Sequence, residues 1–332
     1  MNNYIGIDVA KATLQVYIPI KDENISIENS NKSLKSLYSK LKKYYKKDID
    51  KLVFIFEPTG SYSSLLKYFC SDKKIKAFIV NPRQSSNFAK ALDNRSKSDI
   101  IDAKMLHKFY VMAKDGDIVV PVVNEAQEAL SVLLGYYKLL QKERNSFSNH
   151  LEALAAKKLN NPIEKKLEIK IEKLKLEEKE MIKEMKDLIL SDEELSKSFE
   201  CIISFKGVGD ISAIALLHLF ISYPNANRQE ITALSGLDVI ETSSGTSIHR
   251  RSRISKRGNS IYRGILFMPI LSSVVHNKYI KSFYDRLKEN GKHSTSAQIA
   301  VMRKVILITH SLYKNKQVFN NDIYEKRIGW NK

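Results

Sequence analysis

The sequence predicts an α/β domain followed by a long helical region and then a third, mainly helical domain. Three observations carry that prediction. Short apolar runs alternate with amphipathic segments over the first 120 residues. From about Glu125 to Phe199 the composition shifts to Lys, Glu, Leu and Ile with almost no glycine, as long helices require. Beyond residue 200, apolar helical runs return, punctuated by glycines. The expected boundaries are 1–120, 121–199 and 200–332.

In the first region "YIGIDVA" and "TLQVYIPI" read as paired strands, "LKSLYSKLKKYYKK" as an amphipathic helix, and "LVFIFE" and "KAFIV" as strands separated by the helix "SSLLKYFCS". After "NPRQSSNFAKAL" comes a second helical run, "SDIIDAKMLHKFYVMA". The middle region is split at Asn160-Asn161-Pro162. In its second half Leu167, Ile171, Leu174, Met181, Ile182, Met185 and Leu188 follow a 3-and-4 spacing that Glu178 interrupts. An antiparallel helical hairpin or a dimerising coiled coil fits that pattern, as does a helix pair packed on its own domain. In the third region "FKGVGD" sets a glycine turn between two apolar helices. This resembles a helix-hairpin-helix, in which the backbone N–H groups at Lys206, Gly207 and Gly209 can hold a phosphate; an ordinary tight turn is the plainer alternative.

A net charge of +18 over 332 residues, with 43% hydrophobic residues, describes a folded protein whose partner is a polyanion. Lysines and arginines that neutralise phosphates release counterions, so nucleic acid is the first candidate. No apolar run is long enough to span a bilayer, and a cytoplasmic protein is expected. Cys70 and Cys201 are too few for a disulfide framework and lack zinc spacing, so both read as core residues.

Four carboxylates stand where strand and helix ends should converge. Asp8 interrupts an apolar strand, where a carboxylate is costly unless paired or bound to a metal. Glu57 ends the strand "LVFIFE". Asp99 and Asp102, three residues apart on a helix, share one face. Oxygen ligands of this kind suit Mg²⁺, with Mn²⁺ as a substitute, in phosphodiester chemistry. A solvated helix face and a strand-end cap are the plainer readings of the helix acids and of Glu57; Asp8 has no comparable plain reading. Downstream, "SSGTSIHRRSRISKRGNSIYR" combines serines and glycines with a dense basic run. Arg250, Arg251, Arg253, Lys256, Arg257 and Arg263 suit phosphate oxygens, and Gly245 and Gly258 allow close backbone approach.

"GIDVAK", "FEPTGSY", "VNPRQSSNFAKAL" and "KSDIIDAKML", followed by "FKGVGDISA", "LSGLD" and "SSG...RISKRGNSIYR", resemble the successive blocks of DEDD-type insertion-sequence transposases, the insertion-sequence one-hundred-ten family related to the Piv DNA invertases. The resemblance covers nearly the whole chain. It implies a RuvC-like, RNase H-like first domain in which Asp8, Glu57, Asp99 and Asp102 bind metal. It also implies a C-terminal transposase domain in which Ser244, with Ser243 as its rival, is the nucleophile. It further implies double-stranded DNA as substrate, an element-encoded guide RNA as partner, and a homodimer assembling to a tetramer through the helical middle.

A serine hydroxyl needs activation to attack phosphorus, and the carboxylate cluster is expected to supply it, within one chain or across a dimer. The phosphoserine–DNA linkage would conserve bond energy for rejoining, so the absence of a GxxxxGK[ST] motif is consistent. Two other readings remain open at this point. One is a junction resolvase in which the same acids activate water. The other is a non-catalytic nucleic-acid scaffold. A sugar-kinase or ATPase reading is opposed by the charge and by the lack of a glycine-rich phosphate loop.

Overall fold

The computed structural model of the chain describes residues 2–91, 99–114, 116–157, 162–244 and 248–320, with the backbone alone at 99, 242–244 and 248–251. It divides into two compact units, Met1–Asn124 and Glu125–Lys332.

In the first unit β1 (Asn3–Val9), β2 (Thr13–Ile18) and β3 (Glu23–Glu28) form an antiparallel meander. Helix α1 (Asn31–Tyr45) carries the chain to β4 (Leu52–Phe56), parallel to β1, and α2 (Ser64–Asp72) carries it to β5 (Lys76–Ile79), parallel to β4. The sheet order is β3-β2-β1-β4-β5. α3 (Pro82–Ala91) and α4 (Asp99–Lys108) follow, and four residues of 3-10 helix end the run that the sequence predicted as one helix. β3 is a strand the sequence reading did not single out. "ENISIE" is a half-exposed edge whose alternation is too short and too polar to stand out.

The pleat sorts the strand residues between two layers. Ile5, Ile7, Leu52, Phe54 and Phe56 pack against α1 and α2. Val53 and Ile55 pack with Phe78, Val80, Met105, Leu106 and Phe109 under α4. Strand β4 is therefore buried on both faces, which is why it reads as an unbroken apolar run.

Helix α4 lies directly on β1, and Gly6 makes that possible. A Cβ at Gly6 would overlap the carbonyl oxygen of Ala103 and stand 2.6 Å from the backbone nitrogen of His107. His107 Nδ1 is 2.9 Å from the Tyr4 carbonyl oxygen, and the Tyr4 and Tyr110 rings stack at 4.7 Å. On the far side Lys104 pairs with Asp22 at 3.1 Å. Tyr4 thus meets His107 and Gly6 meets Ala103, so helix and strand run in opposite directions.

In the second unit α5 (Glu125–Ala155) and α6 (Pro162–Leu190) pack antiparallel. The predicted stripe is the packed one: Leu167, Ile171, Leu174 and Met185 are buried with Leu130, Leu134, Tyr137 and Leu140 of α5. Glu178 sits in that stripe because Arg144 of α5 donates to it from Nε at 2.6 Å, leaving its side chain 12% exposed. α7 (Glu193–Ile203), α8 (Asp210–Ser222) and α9 (Arg228–Leu234) follow. Next comes a two-stranded hairpin, β6 (Val239–Ser244) and β7 (Ile248–Ile254), and then α10 (Ser260–Phe267), α11 (Ile270–His276), α12 (Lys278–Glu289) and α13 (Ser294–Asn315). One core joins the ends of α5 and α6 to α7–α13, with α8 buried from Ser212 to Phe220. The hairpin is an addition to the mainly helical region the sequence predicted. Cys70 and Cys201 are buried, as expected. No helix among the described residues is long and apolar enough to cross a membrane.

Two core histidines carry a pH dependence. Burial lowers the imidazoles of His218 and His310 to about 4. His218 Nδ1 lies 3.0 Å from the Tyr262 hydroxyl, whereas His310 Nε2 has no hydrogen-bond partner. Both folded values lie below the ordinary 6.5, so their contribution is complete above that pH and is lost as pH falls towards 4. The urea midpoint followed by circular dichroism should therefore drop between pH 7 and pH 4.5, and His310→Leu should flatten the drop; parallel curves would refute the assignment. For the sheet–helix contact, Gly6→Val should destabilise the protein by about 1–3 kcal/mol or more through overpacking, measured by the same melts.

Candidate active site: a carboxylate cleft and a serine hairpin

β1 and β4 are parallel neighbours, so their C-terminal ends lie side by side. Asp8 is the penultimate residue of β1, opposite Gln15 of β2, and Glu57 directly follows β4, where Pro58 and the left-handed Gly60 (φ 54°) turn the chain away. Asn29 ties the loops beyond these two strands together, its Nδ2 donating to the carbonyls of Ala10 at 3.1 Å and Tyr62 at 3.0 Å. Beyond β5, Val80 donates to the Phe56 carbonyl at 2.9 Å, and Asn81 caps α3 by accepting from the Arg83 nitrogen at 3.0 Å. Pro82 at the first helical position completes that start signal.

The third acid comes from α4. Four helical residues and two strand residues both span about 6 Å. The step from Ala103 back to position 99 therefore matches the step from Gly6 to Asp8, which brings the first turn of α4 to the level of Asp8. Asp8, Glu57 and Asp102, each half-buried, line one cleft of about 370 Å³, together with Ser85, Ser86 and Lys90 of α3. The side chain of Asp99 lies outside the described residues; its backbone opens α4. Lys90 and Ser85 had no role in the sequence reading, although "NPRQSSNFAKAL" was singled out as a block. Asn29 gave no signal, since a single asparagine after an edge strand is unremarkable.

The three carboxylates and the hydroxyls of Ser85 and Ser86 are oxygen donors, the type that fits a hard divalent cation rather than zinc or copper, while Lys90 brings a positive charge to the same cleft. Among the described residues, no three histidine, cysteine, aspartate or glutamate side chains are close enough to hold an ion.

The second unit places the predicted serines on β6, close to the end of the hairpin. Ser243 pairs with His249 and Ser244 with Ile248 in the backbone register, and Gly245 lies outside the described residues. Of the basic residues, Arg253, Lys256 and Arg257 are exposed, while the side chains of Arg250 and Arg251 lie outside the described residues. Arg263 differs from them. Its Nη1 donates to the carbonyls of Ser235 at 2.8 Å and Gly258 at 2.9 Å, and Nη2 reaches that of Lys256 at 3.4 Å. It closes the base of the hairpin from within. Arg303 of α13 supports the same base, donating from Nε and Nη2 to the Leu237 carbonyl at 3.0 and 2.6 Å. Gly258 is required there, because a Cβ would overlap the Leu234 carbonyl. Asp238 and Ser255 hydrogen-bond through their side chains where the strands begin and end.

At "FKGVGD" the structure places Gly207 (φ 97°) tightly against α11, where Ser273 Oγ donates to its carbonyl at 3.0 Å. Lys206 and Gly209 are exposed. Lys186 of α6 pairs with Asp210, the first residue of α8, at 2.9 Å.

Two family models match the chain. One, for the DEDD transposases of the IS110 type, matches residues 5–157; the other, described as a transposase of the IS116/IS110/IS902 family, matches residues 200–285. Together they take in both the carboxylate cleft and the serine hairpin. The chain is also similar over nearly its whole length to the pilin gene-inverting protein of Moraxella bovis, with 24% identity over 97% of this chain and 99% of the relative. The pilin gene-inverting protein of Moraxella lacunata is 25% identical over the same shares. The chain belongs to the IS110-type family of transposases, site-specific recombinases that act on DNA.

Proposed function

We propose that this recombinase cuts and rejoins DNA through a serine-linked intermediate, with Asp8, Glu57, Asp99 and Asp102 as its metal-binding acids and Ser244 as its nucleophile. The observation that supports this most is the single cleft shared by Asp8, Glu57 and Asp102, three acids drawn from β1, the end of β4 and α4. Apolar packing alone does not bring three carboxylates to one cleft.

A divalent cation, Mg²⁺ or in its place Mn²⁺, would be held by these carboxylates and would neutralise charge on the scissile phosphate. The chain's own residues do the rest. Ser244 Oγ forms a bond to phosphorus as the bond from phosphorus to a deoxyribose oxygen breaks. The serine proton is given up to solvent, and the departing oxygen takes up a proton from solvent and leaves as a hydroxyl. Attack of a hydroxyl from another DNA end on the phosphoserine reverses the exchange, restores Ser244 and consumes no nucleotide. Arg250, Arg251, Arg253, Lys256 and Arg257 bind phosphate oxygens flanking that position, with Gly245 next to the serine. The rigid hairpin base built by Arg263, Arg303 and Gly258 keeps the serine strand in register. Lys206, Gly207 and Gly209 form a further phosphate contact of helix-hairpin-helix type. An element-encoded guide RNA supplies sequence recognition, and the α5–α6 pair forms a coiled coil that joins chains into dimers and tetramers.

Incubation with the element's DNA ends, its RNA and Mg²⁺, followed by a denaturing gel, tests this. Wild-type protein and Ser243→Ala should give a protease-sensitive DNA adduct, and Ser244→Ala none. Asp8→Asn should lower adduct formation by about two orders of magnitude or more while DNA binding persists. Cleavage without an adduct would instead identify a water-activating nuclease of the resolvase type. Full activity in Asp8→Asn would remove the carboxylates from the chemistry.

A further inference from the structure

Helix α1 carries a charge pattern that neither the cleft nor the hairpin uses. Its fifteen residues, NKSLKSLYSKLKKYY, contain five lysines and no acid. Leu34, Leu37, Leu41 and Tyr45 are buried against the sheet. The opposite arc, at 100° per residue, consists of Lys32, Lys35, Ser36, Ser39, Lys42 and Lys43, all exposed, and Lys46 and Lys47 continue it past the helix end. No ion pair among the described residues involves any of these six lysines, whereas Lys40, off the arc, is paired with Glu23. Lys42 Nζ stands 4.7 Å from the centre of the Tyr38 ring at the arc's margin.

An ordinary solvated helix face looks different, and this chain supplies the comparison. Helix α6 also has a long exposed face, but its eight lysines are matched by eight acids, several at pairing distance along the helix or across to α5. On α1 like charges stand three and four residues apart, and Lys32 and Lys35 lie at the helix N-terminus, where the dipole disfavours cations. Both arrangements cost stability in the free protein, and both costs are relieved when phosphates lie along the face. Within α1 the arc from Lys32 to Lys43 is about 17 Å long and made only of point-charge donors and short hydroxyls. It offers no exposed aromatic ring on which an unstacked base could lie and no guanidinium fork to read a base edge. That composition fits the regular phosphate rows of duplex DNA.

We infer that the outer arc of α1, from Lys32 to Lys47, is a docking surface for a stretch of duplex DNA other than the one held at the carboxylates. α1 and α2 cover one face of the sheet, while Asp8, Glu57 and Asp102 lie on the face under α4. A duplex on α1 is thus in the layer opposite the cleft, as befits a recombinase that must keep hold of DNA beyond the strand being cut.

The test is a salt titration of full-length protein binding to a short duplex of arbitrary sequence, wild type against the variant Lys32→Gln, Lys35→Gln, Lys42→Gln and Lys43→Gln. Each lost phosphate contact lowers the slope of log K against log salt by about 0.9, so a fall of about 2–4 is expected. The melting temperature should be unchanged or higher, because repulsion is removed. An unchanged slope would overturn the inference. So would a loss confined to a structured RNA probe with duplex binding intact, which would assign the face to RNA. The inference needs the chain to bind DNA but not the serine adduct: Ser244→Ala should keep the full slope, and a missing adduct would leave this result standing.

Discussion

The contact between Gly6 and α4 is the constraint on which the carboxylate cleft of the first unit depends. A helix resting on a strand normally stands off by the length of two side chains. Here the absence of a Cβ at one position lets backbone meet backbone, at Ala103 and His107. Once that contact is fixed, the opposed directions of α4 and β1 decide what comes next. The helix start arrives at the C-terminal end of β1, beside the end of β4, and three acids distant in sequence reach one cleft. The His107–Tyr4 hydrogen bond and the Tyr4–Tyr110 stack hold the other end of the helix.

The second unit reaches its own precision differently. The β6–β7 hairpin is anchored at its base by arginines turned inward onto carbonyls and by a glycine that admits the backbone at the end of α9. Arginine suits this because one planar group can bind several carbonyls at fixed angles. Arg263 shows that a basic residue in a basic motif need not face the nucleic acid. Arg253, Lys256 and Arg257 of the same motif are exposed instead.

Much of this was legible in the sequence, for physical reasons. Asp8 stood out because a carboxylate in an apolar strand has few uses, and β4 because a strand buried on both faces cannot alternate. The stripe on α6 was legible down to its interruption, which needed only a partner, Arg144, to make sense. The rest was hidden because it is three-dimensional. Gly6 reads as one glycine among many until a helix is laid on it. Asn29 and Arg303 act on carbonyls far away in sequence, and backbone acceptors leave no trace in a motif. The hairpin was obscured by its own serines and arginines, which read as a basic loop.

The central claim is that acids from separate elements act as one binding group, and manganese binding tests it most directly. Electron paramagnetic resonance of free Mn²⁺ titrated with full-length protein should report a divalent site that Asp8→Asn and Asp102→Asn each weaken. The double variant should lose little more than either single one, as members of one unit do. Independent, additive losses, or unchanged binding in either variant, would contradict the account.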